Sequence, residues 1–123
     1  MPKLYAFDVD ETLEISNGPI KLQSLMDLRL QGHIVGICGN FNLFCRIPGW
    51  QHLVSFVGQG VLQKHDFLRM IANNIPHDER IMVGNVFGED NGMGWLGGSR
   101  DSEAAKLVDW RFIKEIDFAR GVR

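Results

Sequence analysis

Leu4-Tyr5-Ala6-Phe7-Asp8-Val9-Asp10-Glu11-Thr12-Leu13 is the stretch on which the reading of this chain turns. The apolar run Leu4 to Phe7 predicts a buried strand, because a strand covered on both faces reads as a short continuous apolar run. Two carboxylates follow, Asp8 and Asp10, two residues apart. On extended backbone they point to opposite sides; a turn after Asp8 brings both to one pocket. Like charges held that close require a cation or a shared proton. Mg2+ suits them, since it takes hard oxygen ligands and few protein carboxylates. The plainer alternative is an exposed acidic turn. The apolar run before the pair and Thr12-Leu13 after it favour a site.

Working outward, Gly18-Pro19 predicts a turn with Pro19 opening a helix at its first position. Ile20, Leu22, Leu25, Met26 and Leu30 give that helix an imperfect apolar stripe, and Gly32 stops it. His33 to Cys38 predicts a second buried strand, residues 41–50 an irregular or briefly helical stretch, and Leu53 to Val57 a short third strand. A helix over about residues 62–74 carries Phe67, Leu68 and Ile71 and ends at Asn73-Asn74 before Pro76. Arg80 to Val83 predicts a fourth strand, followed by a Gly-rich loop over residues 86–100. A helix from Asp101 or Ser102 to about Val108, a fifth strand from Trp110 to Ile116 and a short helical turn complete the pattern. Strands separated by helices predict an α/β fold: a Rossmann-like parallel sheet of about five strands with helices on both faces. Ligands of such sheets sit at the carboxyl ends of the strands, where Asp8, Gly39-Asn40 and Gly84-Asn85 would lie.

At 123 residues, 45% of them hydrophobic, the chain fits one domain with a substantial core. A net charge of −2 gives no electrostatic footprint for general nucleic-acid or membrane-surface binding. No apolar run is long enough to cross a bilayer, and Asp8 and Asp10 interrupt any signal-peptide core. Cys38 and Cys45 form neither a metal-ligand set nor a disulfide framework; both are read as reduced, in a cytoplasmic setting. His33, His52, His65 and His77 lack ligand spacing.

The apolar strand followed by Asp8-Val9-Asp10-Glu11-Thr12-Leu13 resembles the first motif of the haloacid dehalogenase (HAD) superfamily of phosphohydrolases. Glu11 replaces the usual Gly, as in related phosphatases carrying Asp-x-Asp-Glu-Thr. The family's second motif is a Ser or Thr ending the second strand, often followed by Asn; here Gly39-Asn40 stands there. The third is a Lys opening the helix before the fourth strand, matched by Lys64. The fourth is Gly-Asp with a second acid four or five residues on; here it reads Gly84-Asn85, with Asp90 at that distance. Ser102 to Lys106 and Trp110 to Ile113 resemble the helix and strand that follow, but Asn91 to Arg100 intervene. Asp101 is therefore a rival to Asp90, with a helix N-cap as its other role.

The resemblance implies Asp8 as a nucleophile that forms an aspartyl-phosphate, and Asp10 as the acid that protonates the leaving oxygen and then activates water. It implies Lys64 as the cation that neutralises charge at the phosphoryl group, and Mg2+ held by Asp8, the Asp10 carbonyl, Asn85 and Asp90. Gly39 and Asn40 would cradle phosphate oxygens, and Thr12 would fix the loop beside them. It further implies that residues 1–123 are one core domain of the capless type, with residues 86–100 as an added loop. That loop is expected to cover the site, with Trp95 as its apolar anchor. Capless members act on phosphorylated macromolecules or borrow a neighbouring subunit as lid. The expected partner is thus a phosphorylated small molecule or macromolecule, with a homo-oligomer as a further option.

Two departures weaken the expected chemistry. Gly39 lacks a hydroxyl donor and Asn85 lacks a charge, and one positioned donor is worth about 2–4 kcal/mol of barrier. A catalytically weak or inactive binding protein on the same fold is the alternative. A phosphoacceptor receiver-like domain fits less well, because Val57-Gly58-Gln59 offers no Asp after the third strand.

Overall fold

The computed structural model describes residues 2–58, 63–85 and 101–123, the last stretch without the Asp101 side chain. Its five strands are β1 (Lys3–Phe7), β2 (Ile34–Cys38), β3 (Phe56–Gly58), β4 (Glu79–Gly84) and β5 (Arg111–Lys114). All pair in parallel, in the order β3-β2-β1-β4-β5. The helices are α1 (Leu22–Leu30), α2 (Phe41–Phe44), α3 (Lys64–Asn74), α4 (Asp101–Leu107) and α5 (Glu115–Ala119). The expected Rossmann-like α/β architecture is therefore present.

The central strand explains why both faces are covered. Successive side chains alternate in direction. Tyr5 and Phe7 join Leu25 and Leu28 of α1, Phe44 of α2 and Phe118 of α5 in one apolar cluster. Leu4 and Ala6 join Phe67, Leu68 and Ile71 of α3 and Ala105 of α4 in the other. Each large side chain so buried contributes about 1.5–3 kcal/mol relative to exposure. Helices α1, α2 and α5 thus cover one face, and α3 and α4 the other.

Several boundaries differ from expectation. Pro19 does not open α1: Ile20 bridges to Leu13, and the helix begins two residues after it, at Leu22. The Leu22 N–H is satisfied by Glu14 Oε2 at 2.7 Å, so Glu14 closes the start of the helix from outside it. Gly32 ends α1 as predicted, with φ 91°, and the N–H groups of Gly32 and His33 reach back to Arg29 and Leu28. Strand β3 starts later than Leu53, because a 3-10 turn at Trp50–His52 takes up the approach to it. The fifth strand stops at Lys114, and Glu115 and Ile116 belong to α5. The expected covering loop over residues 86–100, with Asp90 and Trp95, lies outside the described residues.

Candidate active site

The strand order leaves β1 between β2 and β4, so the chain leaves β1 to one side and later returns to its other side. The crevice at the carboxyl ends beside β1 is where ligands of open parallel sheets bind. Asp8 stands at that point. Its N–H donates to the Val83 carbonyl at 2.8 Å, extending the ladder by one residue. The chain then turns: the Val9 carbonyl accepts from both Thr12 N and Leu13 N at 3.1 Å. Glu11 takes the left-handed conformation, φ 58°, at a cost of about 1–2 kcal/mol for a residue with a β-carbon. In the motif that this stretch resembles, Gly usually stands at this position. Asp8 and Asp10 are therefore on a turn, not on extended backbone.

Asp8 is nearly buried, 6% exposed, and protein groups surround both of its oxygens. Oδ1 lies 3.2 Å from Lys64 Nζ. Oδ2 accepts from Thr12 Oγ1 at 3.2 Å and from Asn85 Nδ2 at 3.0 Å. Lys64 reaches this position because it heads the buried face of α3, followed at helical spacing by Phe67, Leu68 and Ile71. A charged pair this deep gains from its low-dielectric setting only because each partner is present; removing either leaves an uncompensated buried charge.

Asn85 is the second hub. Its Nδ2 contacts Asp8 Oδ2 at 3.0 Å, the Asp10 carbonyl at 2.5 Å and Thr12 Oγ1 at 3.1 Å. The sequence reading expected Asn85 to offer an oxygen to a metal; the structure presents its NH2 instead. The amide turned over would bring its oxygen against two pure acceptors, Asp8 Oδ2 and the Asp10 carbonyl, a crowding that a cation relieves. The Asp8 carboxylate and Asp10 carbonyl are hard donors of the type Mg2+ takes, so the residues present fit that ion with the Asn85 oxygen turned inward. Among the described residues no three His, Cys, Asp or Glu side chains gather to hold a metal.

Asp10 is exposed, and its Oδ1 accepts from Asn40 Nδ2 at 3.0 Å. The other end of the same amide, Asn40 Oδ1, caps α2 by accepting from Leu43 N at 3.1 Å. Asn40 thus orients Asp10 while fixed by its own helix. Thr12 is fully buried, and its hydroxyl is engaged with Asp8, Asp10 and Asn85. It clamps the loop from inside. Gly39 lies against the carboxylate: a β-carbon there would stand 2.8 Å from Asp8 Oδ1 and 3.1 Å from Val9 N. The structure therefore brings Asp8, Asp10, Thr12, Gly39, Asn40, Lys64 and Asn85 together at one edge of the sheet. Asp90 and the Asp101 side chain lie outside the described residues.

Sequence reasoning missed Glu115. It is the first residue of α5, directly after β5, and is 9% exposed. Burial pushes its carboxyl above the usual range, opposed by its own backbone N–H and by Lys114, and reinforced by Asp117 and Asp8. A lone Glu after a strand carries no spacing signal.

Comparison with known protein families, with curated proteins and with solved structures finds no match to this chain.

Proposed function

We propose that this protein is a HAD-type hydrolase of phosphate monoesters, acting through an aspartyl-phosphate on Asp8 and using Mg2+. One observation carries the reading: a buried carboxylate at the strand crevice, held 3.2 Å from a buried lysine that arrives from a distant helix. In this reading an Asp8 oxygen attacks phosphorus and the ester P–O bond breaks. Asp10 gives its proton to the departing alkoxide. Water then attacks the phosphorus of the acyl phosphate, Asp10 takes its proton, and phosphate leaves with Asp8 restored. Lys64 lowers the charge that the incoming phosphoryl group meets at Asp8. Asn40 holds Asp10 toward the reacting oxygen. Asp8, the Asp10 carbonyl and Asn85 would hold Mg2+, which supplies charge neutralisation at the phosphoryl oxygens when bound.

A second reading, a binder without turnover, is favoured by Asn85: its amide satisfies the oxygens that the ion would otherwise take. Turnover of p-nitrophenyl phosphate with and without Mg2+ separates the two. The hydrolase reading expects Mg2+-dependent turnover that falls to background in Asp8→Asn, with that variant still folded. Turnover kept at the wild-type rate by Asp8→Asn would overturn the assignment of the nucleophile.

A further inference from the structure

Asp10 has a second neighbourhood. It lines a cavity of about 780 Å3 with Glu11, Ser16, Asn17, Glu115 and Ile116, and Lys64 is not among the lining residues. The titratable groups among its described lining residues are all carboxyls, and none is Lys, Arg or His. Acidic walls alone identify nothing, because such clusters are ordinarily solvated. Glu115 is different. It is more than nine-tenths buried, and its Oε2 has no hydrogen-bond partner among the described residues. A buried carboxyl oxygen without a donor costs free energy until a donor arrives. No such donor comes from the described walls. The fold brings Glu115 here because β5 runs beside β4 with Lys114 opposite Gly84, the residue before Asn85. Glu115 is thus delivered to the same sheet edge as the Asp8 cluster.

The cavity's place follows from Asp10. In the hydrolase reading, on which this inference rests, Asp10 protonates the leaving oxygen, so the alcohol departs on the side that Asp10 lines. We infer that this cavity holds the alcohol part of the substrate, and that Glu115 selects phosphate monoesters whose alcohol carries a protonated amine. An ammonium group supplies the donor that Glu115 lacks and the charge that Asp10 and Glu11 complement. A neutral polyol supplies donors without charge. A second phosphate, as in an oligonucleotide, meets carboxyls on every titratable wall. Glu115 is a specificity-determining residue in this assignment; the reacting atoms stay with Asp8 and Asp10.

The test compares kcat/KM for 2-aminoethyl phosphate and propyl phosphate, close in size and different in charge, in the wild type and in Glu115→Gln. The wild type is expected to prefer the amine by about tenfold, the size of one partly desolvated ion pair, and the preference is expected to fall to within about twofold in the variant. Equal use of both esters by the wild type overturns the assignment while leaving the hydrolase reading intact, as does a preference that survives Glu115→Gln. If the wild type turns over neither ester, the hydrolase reading fails by itself, and amide NMR shifts decide the cavity. Shifts at Asn17, Gly18 and Ile116 with 2-aminoethyl phosphate but not with propyl phosphate uphold an ammonium site. The same shifts with both, or with neither, overturn it. Should Glu115→Gln not fold, the wild-type ratio decides alone.

Discussion

Lys64 Nζ and Asp8 Oδ1 lie 3.2 Å apart across 56 residues of chain, with 6% and 9% of their side chains exposed. The pair is neither a surface ion pair nor a helix neighbour pair, so its loss is costly. Lys64→Met is expected to destabilise the fold by about 3–5 kcal/mol, because it leaves a buried carboxylate uncompensated. Lys64→Met combined with Asp8→Asn is expected to recover much of that loss. Urea unfolding of the two single variants and the double variant measures the coupling; strictly additive losses would show that the contact carries no stability.

Asn85→Asp is expected to divide behaviour by metal. Without Mg2+ it sets a second carboxylate against Asp8 Oδ2 and the Asp10 carbonyl, where Asn85 now places an NH2. The melting temperature falls below wild type. With millimolar Mg2+ the same charge strengthens the cation site, and the melting temperature rises by more than it does in wild type. Thermal melts with and without Mg2+ check this, and an identical Mg2+ response in both proteins would count against the position proposed for the ion.

Gly39→Ser is expected to destabilise by about 1–3 kcal/mol and not to raise turnover. The missing hydroxyl looked in sequence like a lost donor. In the structure the glycine gives Asp8 its space, with a β-carbon meeting Oδ1 at 2.8 Å. Backbone conformation is not the obstacle, since Gly39 lies outside the left-handed region. Denaturant unfolding together with p-nitrophenyl phosphate turnover tests it; a more stable and faster variant would restore the lost-donor view.

Glu115 predicts a pH dependence of stability. Burial raises its carboxyl above the ordinary value of 4.5, so the folded state holds the proton more tightly than the unfolded state. Its contribution is intact below about pH 4.5 and is lost as pH rises through the raised folded value. Glu115→Gln cannot ionise. The stability of this variant relative to wild type is therefore expected to improve between pH 4 and pH 7. Unfolding free energies across that range check the trend; a flat difference would mean that the carboxyl titrates alike in both states.

What could be read in advance followed from periodicity. Leu4 to Phe7 announced a strand covered on both faces because it is a continuous apolar run, and Gly32 announced a helix end because φ 91° suits glycine. The grouping of Asp8, Asn40, Lys64 and Asn85 was legible because each follows a strand or heads the next helix. The direction of a side chain was not legible. Asn85 is equally a donor and an acceptor in sequence, and only its three oxygen neighbours decide which end points inward. Thr12 was expected to fix the loop, but its complete burial among Asp8, Asp10 and Asn85 is a tertiary result. Glu115 was lost inside a strand drawn two residues too long, which hid that the chain turns helical there.

Each strand delivers one polar residue to the crevice: Asp8 after β1, Asn40 after β2, Lys64 beyond β3, Asn85 after β4 and Glu115 after β5. The site is therefore distributed over the full order of synthesis. Asp8 emerges first, and its contacts with Lys64 and Asn85 close loops of 56 and 77 residues. Until those loops close, the carboxylate at the end of the central strand lacks both partners. The charge held at the crevice thus opposes early assembly of the sheet, and the slow non-local pairing that completes the fold is the same event that completes the cluster around Asp8.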